Sequence, residues 1–151
     1  MDRLFAGLEN GKIMVQNQPQ DPFLLTYQYF SCLKNELNVT KDKEERISEL
    51  LSDSHLVVFC RNCLLICANK TENYAEMLKD IIVELLVQLT AHENICVPNQ
   101  LCKEENAILP ILGQYLNMDE KKLAIKTRLG VLYLLANICL EENHYFKNCV
   151  I

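Results

Sequence analysis

The amino-acid sequence predicts an all-α fold, on three observations. Apolar residues recur at three- and four-residue spacing through most of the chain. Gly and Pro number only four each in 151 residues, too few for a loop-rich chain. No segment sustains the alternation of a half-buried strand. At this length one unit with a sizeable core is expected. It divides into an N-terminal segment, residues 1–20, and a helical domain over residues 21–151 that is either whole or part of a longer array.

Met1 to Leu8 has the pattern for a helical turn or two before the turn signal Asn10-Gly11, and Gln16 to Gln20 reads as a linker around Pro19. Asp21-Pro22 opens the first long helix, with Asp as N-cap and Pro at the first helical position. Phe23, Tyr27, Phe30, Leu33 and Leu37 form its apolar stripe. Thr40 is expected to cap a second helix, Lys41 to about Leu51, which buries Ile47, Leu50 and Leu51. Ser54 to Ala68 is apolar nearly all round, the mark of a central helix. A polar turn, Asn69 to Asn73, leads into Tyr74 to Ala91, whose stripe runs from Met77 to Leu89 with a break expected near Leu78-Lys79. His92 to Leu101 reads as a loop around Pro98-Asn99. Asn106 to Leu116 is helical, and Pro110 forces a kink or a late start near Ile108. Asp119 is expected to cap the long helix that ends near Leu140, and Asn143 to Cys149 to begin a short one.

The net charge of −5 gives no general attraction to nucleic-acid phosphate or to anionic lipid. The N-terminus lacks the apolar core of a signal peptide, and no apolar run approaches membrane-spanning length. A cytoplasmic or nuclear protein in a reducing compartment is the expectation, with no membrane partner. The eight cysteines then read as small buried residues of helix faces rather than a disulfide framework.

An internal echo bears on architecture. Glu-Asn closes an apolar helix three times: Leu64-Leu65 to Glu72-Asn73, Leu85-Leu86 to Glu93-Asn94, and Leu134-Leu135 to Glu142-Asn143. The first two instances lie 21 residues apart and the second two 49 apart. Aligned on this motif, Cys67, Gln88 and Asn137 share one column, and Cys63, Glu84 and Tyr133 stand one turn before it. Leu135-Ala136-Asn137-Ile138-Cys139, a polar turn and then Asn143 resemble the end of the third helix of an armadillo repeat, with Ala107 to Leu116 as the preceding second helix. The earlier chain resembles HEAT-type helical pairs. The resemblance, which covers roughly Ser54 to Ile151, implies a right-handed α-solenoid of stacked helices. A compact helical bundle is the alternative.

The same resemblance implies a non-enzymatic scaffold or adaptor that binds a partner protein's helix or extended segment through a groove or an end surface. In peptide-binding armadillo proteins a groove Asn bonds the peptide backbone, and an aromatic residue four positions earlier packs beside it. Tyr133 and Asn137 match that spacing, with Tyr where Trp is usual. An amide suits the task because it both donates and accepts. Glu84, Gln88, Tyr133 and Asn137 are the expected partner-binding residues; buried structural satisfaction of Asn137 is the other reading.

Chemistry of other kinds has little support. Cys60, Cys63 and Cys67 lie on one helical face and could hold zinc or cycle a disulfide. Neither a second Cys-x-x-Cys nor a His pair supplies the remaining ligands, so small residues packing a helix interface is the plainer reading. A metal- or redox-sensing domain built on these three thiols, and an oligomerisation or assembly domain, stand as alternatives. His55, His92 and His144 have no motif supplying a nucleophile and an orienting acid. No glycine-rich phosphate loop exists. No catalytic residue, cofactor or small-molecule substrate is therefore expected. Lys121, Lys122, Lys126 and Arg128 form a basic patch that reads as a solvated helix face rather than a nucleic-acid contact.

Overall fold

The computed structural model describes residues 2–52, 55–91, 108–119 and 123–141. Helix α1, Asp2–Asn10, stops at Gly11, which takes φ 84° and returns its N–H to Gly7 O at 2.8 Å. A β-hairpin follows where a linker was expected: β1, Ile13–Val15, pairs antiparallel with β2, Gln18–Gln20. Its two turn residues, Gln16 and Asn17, sit at φ 50° and 63°, the doubly left-handed geometry that matches the twist of hairpin strands. Pro19 stands opposite Met14. In a two-residue hairpin the flanking pair exchanges hydrogen bonds and the next pair does not, so the missing proline N–H leaves the ladder intact. Gly7 lets the hairpin dock, since a β-carbon there would collide with Ile13, and Arg3 Nη2 donates to Met14 O at 2.5 Å.

Helix α2, Pro22–Val39, starts as its sequence dictates: Asp21 Oδ1 accepts the Phe23 N–H at 2.9 Å and Pro22 occupies the first turn. Thr40 closes this helix instead of opening the next, and both its N–H and its hydroxyl donate to Glu36 O. The N-terminus of α3, Lys43–Ser52, is satisfied by Asp42, whose Oδ1 accepts from the Glu45 N–H at 3.1 Å. The short acceptor lies closer to the apolar run than Thr40 and takes over the cap.

Helix α4 spans His55–Cys67, and α5, Asn73–Thr90, continues through Leu78-Lys79 without the expected break. Helix α6, Ile108–Leu116, takes the late start: Pro110 falls in its first turn, where a backbone N–H has no intrahelical acceptor. Helix α7 spans Ile125–Glu141, so Asp119 is not its cap. The loop around Pro98 with Cys96 and Cys102, the short helix at 143–149, His92, His144, Lys121 and Lys122 lie outside the described residues.

Helix α5, not α4, is the centre of the core. It packs on α2, α4 and α7 and buries ten residues, from Ala75 to Thr90. Helix α4 is apolar all round yet leaves Leu65 at 41% exposure. Phe30 of α2 stacks on Phe59 of α4 with centroids 5.5 Å apart, and Tyr29 meets both edge-on. Burial of each such ring contributes about 2–3 kcal/mol.

The order of contacts fixes helix directions. Lys34 meets Glu84, and Asn38 meets Gln88, each pair 50 residues apart. Lys126 meets Asp80 and Glu84, Gly130 would meet Val83, and Asn137 meets Val87 and Thr90. Rising numbers meet rising numbers, so α2, α5 and α7, of 18, 18 and 17 residues, lie side by side and run the same way. Behind them α4 packs on α6, where the Tyr115 hydroxyl donates to Leu64 O across 51 residues at 2.5 Å. That carbonyl belongs to the last turn of α4 and lacks an intrahelical donor, so Tyr115 satisfies it.

Candidate functional site

Three of the four expected binding residues line one groove. Glu84 and Gln88 of α5 and Tyr133 of α7 meet there, in a trough of about 530 Å³ between the two helices. Val87, Leu129 and Gly130 are the apolar part of its lining, and Lys34, Asp80, Glu84 and Lys126 are the charged part. Gly130 sets the width. A β-carbon at that position would lie 2.8 Å from Val83 Cγ1, so glycine is what lets α7 approach α5 closely. A second trough of about 390 Å³ runs between α2 and α5, lined by Tyr27, Ser31, Asn38 and Met77. Lys34, Asp80, Glu84 and Lys126 belong to both, so the two form one surface across the three parallel helices.

The charges at the junction are internally matched. Glu84 takes hydrogen bonds from Lys34 and, at 3.1 Å, from Lys126, which also reaches Asp80 at 3.0 Å. Partial burial opposes the charge on Glu84, but the two ammonium groups outweigh it and hold the carboxyl below its ordinary value. Asp80 and Glu84 in turn raise the Lys126 ammonium above the usual lysine range. Each long helix contributes to this four-residue network, which ties α2, α5 and α7 together at one level. Of the expected basic patch, Lys126 stays exposed while it pairs with Asp80 and Glu84, and Arg128 is half-buried and donates to Leu116 O at 2.7 Å and to Met118 O at 2.6 Å.

Asn137 stands beside the groove and is partly buried. Its Nδ2 donates to Val87 O at 3.3 Å and Thr90 Oγ1 at 3.1 Å. Its donor is thus used between α7 and α5. Gln88 Nε2 donates to Asn38 Oδ1 at 3.1 Å, joining α5 to α2 in the same fashion.

These bonds bring in a helix that the column drawn from sequence did not include: Gln88 meets Asn38 of α2, and Glu84 meets Lys34. The side-by-side helices α2, α5 and α7 present an amide at one level, Asn38, Gln88 and Asn137. One turn before it they present Lys34, Glu84 and Tyr133. Sequence reading missed Lys34, Asn38, Asp80 and Leu129 as groove residues. The signal was there: Lys34 and Asn38 stand 50 residues before Glu84 and Gln88 with the same four-residue spacing.

The cysteine face lies elsewhere. Cys60, Cys63 and Cys67 are fully buried in α4, against the core. Desolvation pushes the Cys60 and Cys67 thiols up to about 12 and Cys63 higher still. Thiols so placed stay protonated at neutral pH and in that form are weak nucleophiles. Among the described residues no three His, Cys, Asp or Glu side chains converge to hold a metal ion. No single helix among them is long and apolar enough to cross a membrane. Comparison of the chain with family models, with curated proteins and with solved structures returns no match.

Proposed function

We propose that this chain is a non-enzymatic protein-interaction module of the armadillo/HEAT-like solenoid kind. Its long-helix layer would take an extended segment of a partner protein. One observation carries the reading: side-by-side parallel helices repeat a charged or aromatic residue and, one turn on, an amide. Contacts recur at a sequence separation near 50 residues in both the front and the back layers. That is the pattern expected when one helical unit is stacked on the next.

The mode of binding follows from what the amides have left. Among the described residues, the Gln88 and Asn137 side-chain oxygens and Asn38 Nδ2 are not engaged. They can accept from, and donate to, the backbone of a segment laid across the helices. Tyr133, 66% exposed, would cover an apolar side chain seated on Val87 and Leu129. Redox sensing at Cys60, Cys63 and Cys67 has the weaker physical basis, given that all three thiols are buried and protonated.

The test is selection of linear peptides from a displayed random library against the whole chain, followed by affinity measurement on folded variants. Gln88→Ala and Tyr133→Ala should each weaken a selected peptide by roughly tenfold, the effect of an anchor worth more than about 1.4 kcal/mol. Peptides that bind both variants as tightly as the parent would remove the groove assignment.

A further inference from the structure

The four charges where the two troughs meet are not held alike. The side chains of Lys34, Asp80 and Glu84 are 31%, 23% and 30% exposed, whereas that of Lys126 is 73% exposed. The first three stand half-buried on α2 and α5. Lys126 reaches them from the first turn of α7 on a flexible four-carbon stem. The fixed part of the site is therefore two carboxylates and one ammonium, a net negative charge. Its remaining occupant is a movable cation.

A cation is needed at that position. Glu84 keeps Lys34 as a second partner, but among the described residues Asp80 pairs with Lys126 alone. Leaving a half-buried carboxylate unpaired is costly, so a group that displaces Lys126 must itself bring positive charge. A partner's carboxylate would do the reverse, drawing Lys126 away and leaving Asp80 unmatched. The exchange of cations is cheap, because a pair with so exposed a lysine holds weakly. An incoming lysine gains nothing over Lys126, being the same point charge. Arginine does gain. Asp80 and Glu84 stand one turn apart on one face of α5, and a planar guanidinium carries its donors in a fork that serves both carboxylates at once. The chain's net charge of −5 also favours the approach of a cationic segment.

We propose, on the reading that this surface takes an extended segment, that the segment carries an arginine whose guanidinium replaces Lys126 between Asp80 and Glu84. Lys126 is then a built-in stand-in. It keeps the two carboxylates satisfied in the free protein and swings into solvent when the segment binds. Although it lines both troughs, it therefore works against binding.

Displayed peptide libraries with one central residue fixed as Arg, Lys, Glu or Leu, panned against the whole chain, read the preference directly. The Arg library should yield the tightest binders. Changing that Arg to Lys or Gln in a selected peptide should weaken it roughly tenfold, a test that leaves the protein untouched. Lys126→Met keeps the stem and drops the charge, and should tighten the same peptide about two- to fivefold, since no ion pair is left to displace. Lys43→Met removes the same charge from α3, outside both troughs, and should change nothing. Asp80→Asn should weaken the peptide. Binders drawn as readily from the Glu or Leu library overturn the arginine assignment and leave the groove in place. So does a Lys126→Met variant that binds the Arg peptide no better than the parent, or no better than Lys43→Met. Binders from none of the libraries remove the groove reading and the arginine with it.

Discussion

Replacing Gly130 by alanine asks whether α7 packs on α5 as closely as the groove requires. In an exposed helix interior, Gly→Ala stabilises by about 0.8–1 kcal/mol, because glycine surrenders more backbone freedom on folding. At Gly130 the new methyl meets Val83 Cγ1 at 2.8 Å, and Val83 is fully buried with a stiff, β-branched side chain. Forcing a methyl into a packed contact costs about 1–3 kcal/mol. The gain and the cost leave Gly130→Ala between roughly neutral and about 2 kcal/mol destabilised. Gly113 in α6 is the internal control, since a β-carbon there meets nothing within 4 Å. Gly113→Ala should therefore show the full gain of about 1 kcal/mol. Val83→Ala makes room for the methyl, so Gly130→Ala should be less harmful in that background, with a coupling of about 0.5–3 kcal/mol. Urea unfolding followed by circular dichroism measures the four variants, single and double, against the parent. The close α5–α7 packing is refuted if Gly130→Ala stabilises as much as Gly113→Ala and its coupling to Val83→Ala is zero.

Other predictions concern single groups. Tyr115→Phe removes the donor to the buried Leu64 carbonyl and should lower stability by about 1–3 kcal/mol in the same assay; no loss would show that the carbonyl finds another partner. Asn137→Ala breaks the α7–α5 amide contacts and should cost about 1 kcal/mol, and an unchanged midpoint would refute a bridging role. In the native protein Cys32 and Cys139 should react with a thiol reagent, while Cys60, Cys63 and Cys67 should react only after unfolding; prompt labelling of Cys63, located by mass spectrometry, would contradict its burial. The same thiols set an alkaline response. Their folded values are raised, so between the unfolded value near 9 and about 12 the folded state holds more protons and stability falls as pH rises. Lys79 works in the opposite sense, since desolvation lowers its value below 10.5. Cys63→Ala should flatten the fall by up to about 1.4 kcal/mol per pH unit, and a slope identical to the parent's would argue against a buried protonated thiol.

How far the sequence carried the structure depended on the range of the forces involved. Asp21-Pro22 and Pro110 act within one turn, and the helix starts they dictate are where local chemistry put them. Gln16-Asn17 failed as a signal because both residues adopt left-handed backbone without a glycine to announce it, and Gln18-Pro19-Gln20 has no apolar alternation. The capping of α3 turned on two competing acceptors, Thr40 and Asp42, and the shorter connection prevailed. Helix order was the hardest to read. The Glu-Asn motif aligned α4 with α5 and α7, whereas the long helix beside α5 is α2, which ends in Asn38 without that motif. Only contacts across some 50 residues select α2, and the clue was the repeated spacing of Lys34-Asn38 and Glu84-Gln88. Glu84, Gln88 and Tyr133, picked out by the four-residue columns aligned on the Glu-Asn motif, line one trough. The internal use of the Asn137 donor was not legible, because Thr90 and Val87 O reach it from a different helix.

The most direct measurement follows the side-chain amides of the long-helix layer. In nitrogen-15 correlation spectra of the whole chain, the NH₂ signals of Asn38, Gln88 and Asn137 can be assigned by single substitutions and watched while a selected peptide is added. The proposed groove predicts that these three move together, in proportion to the peptide bound, with the backbone signals around Tyr133. Shifts confined to α4 and α6, with the three amides still, would contradict it.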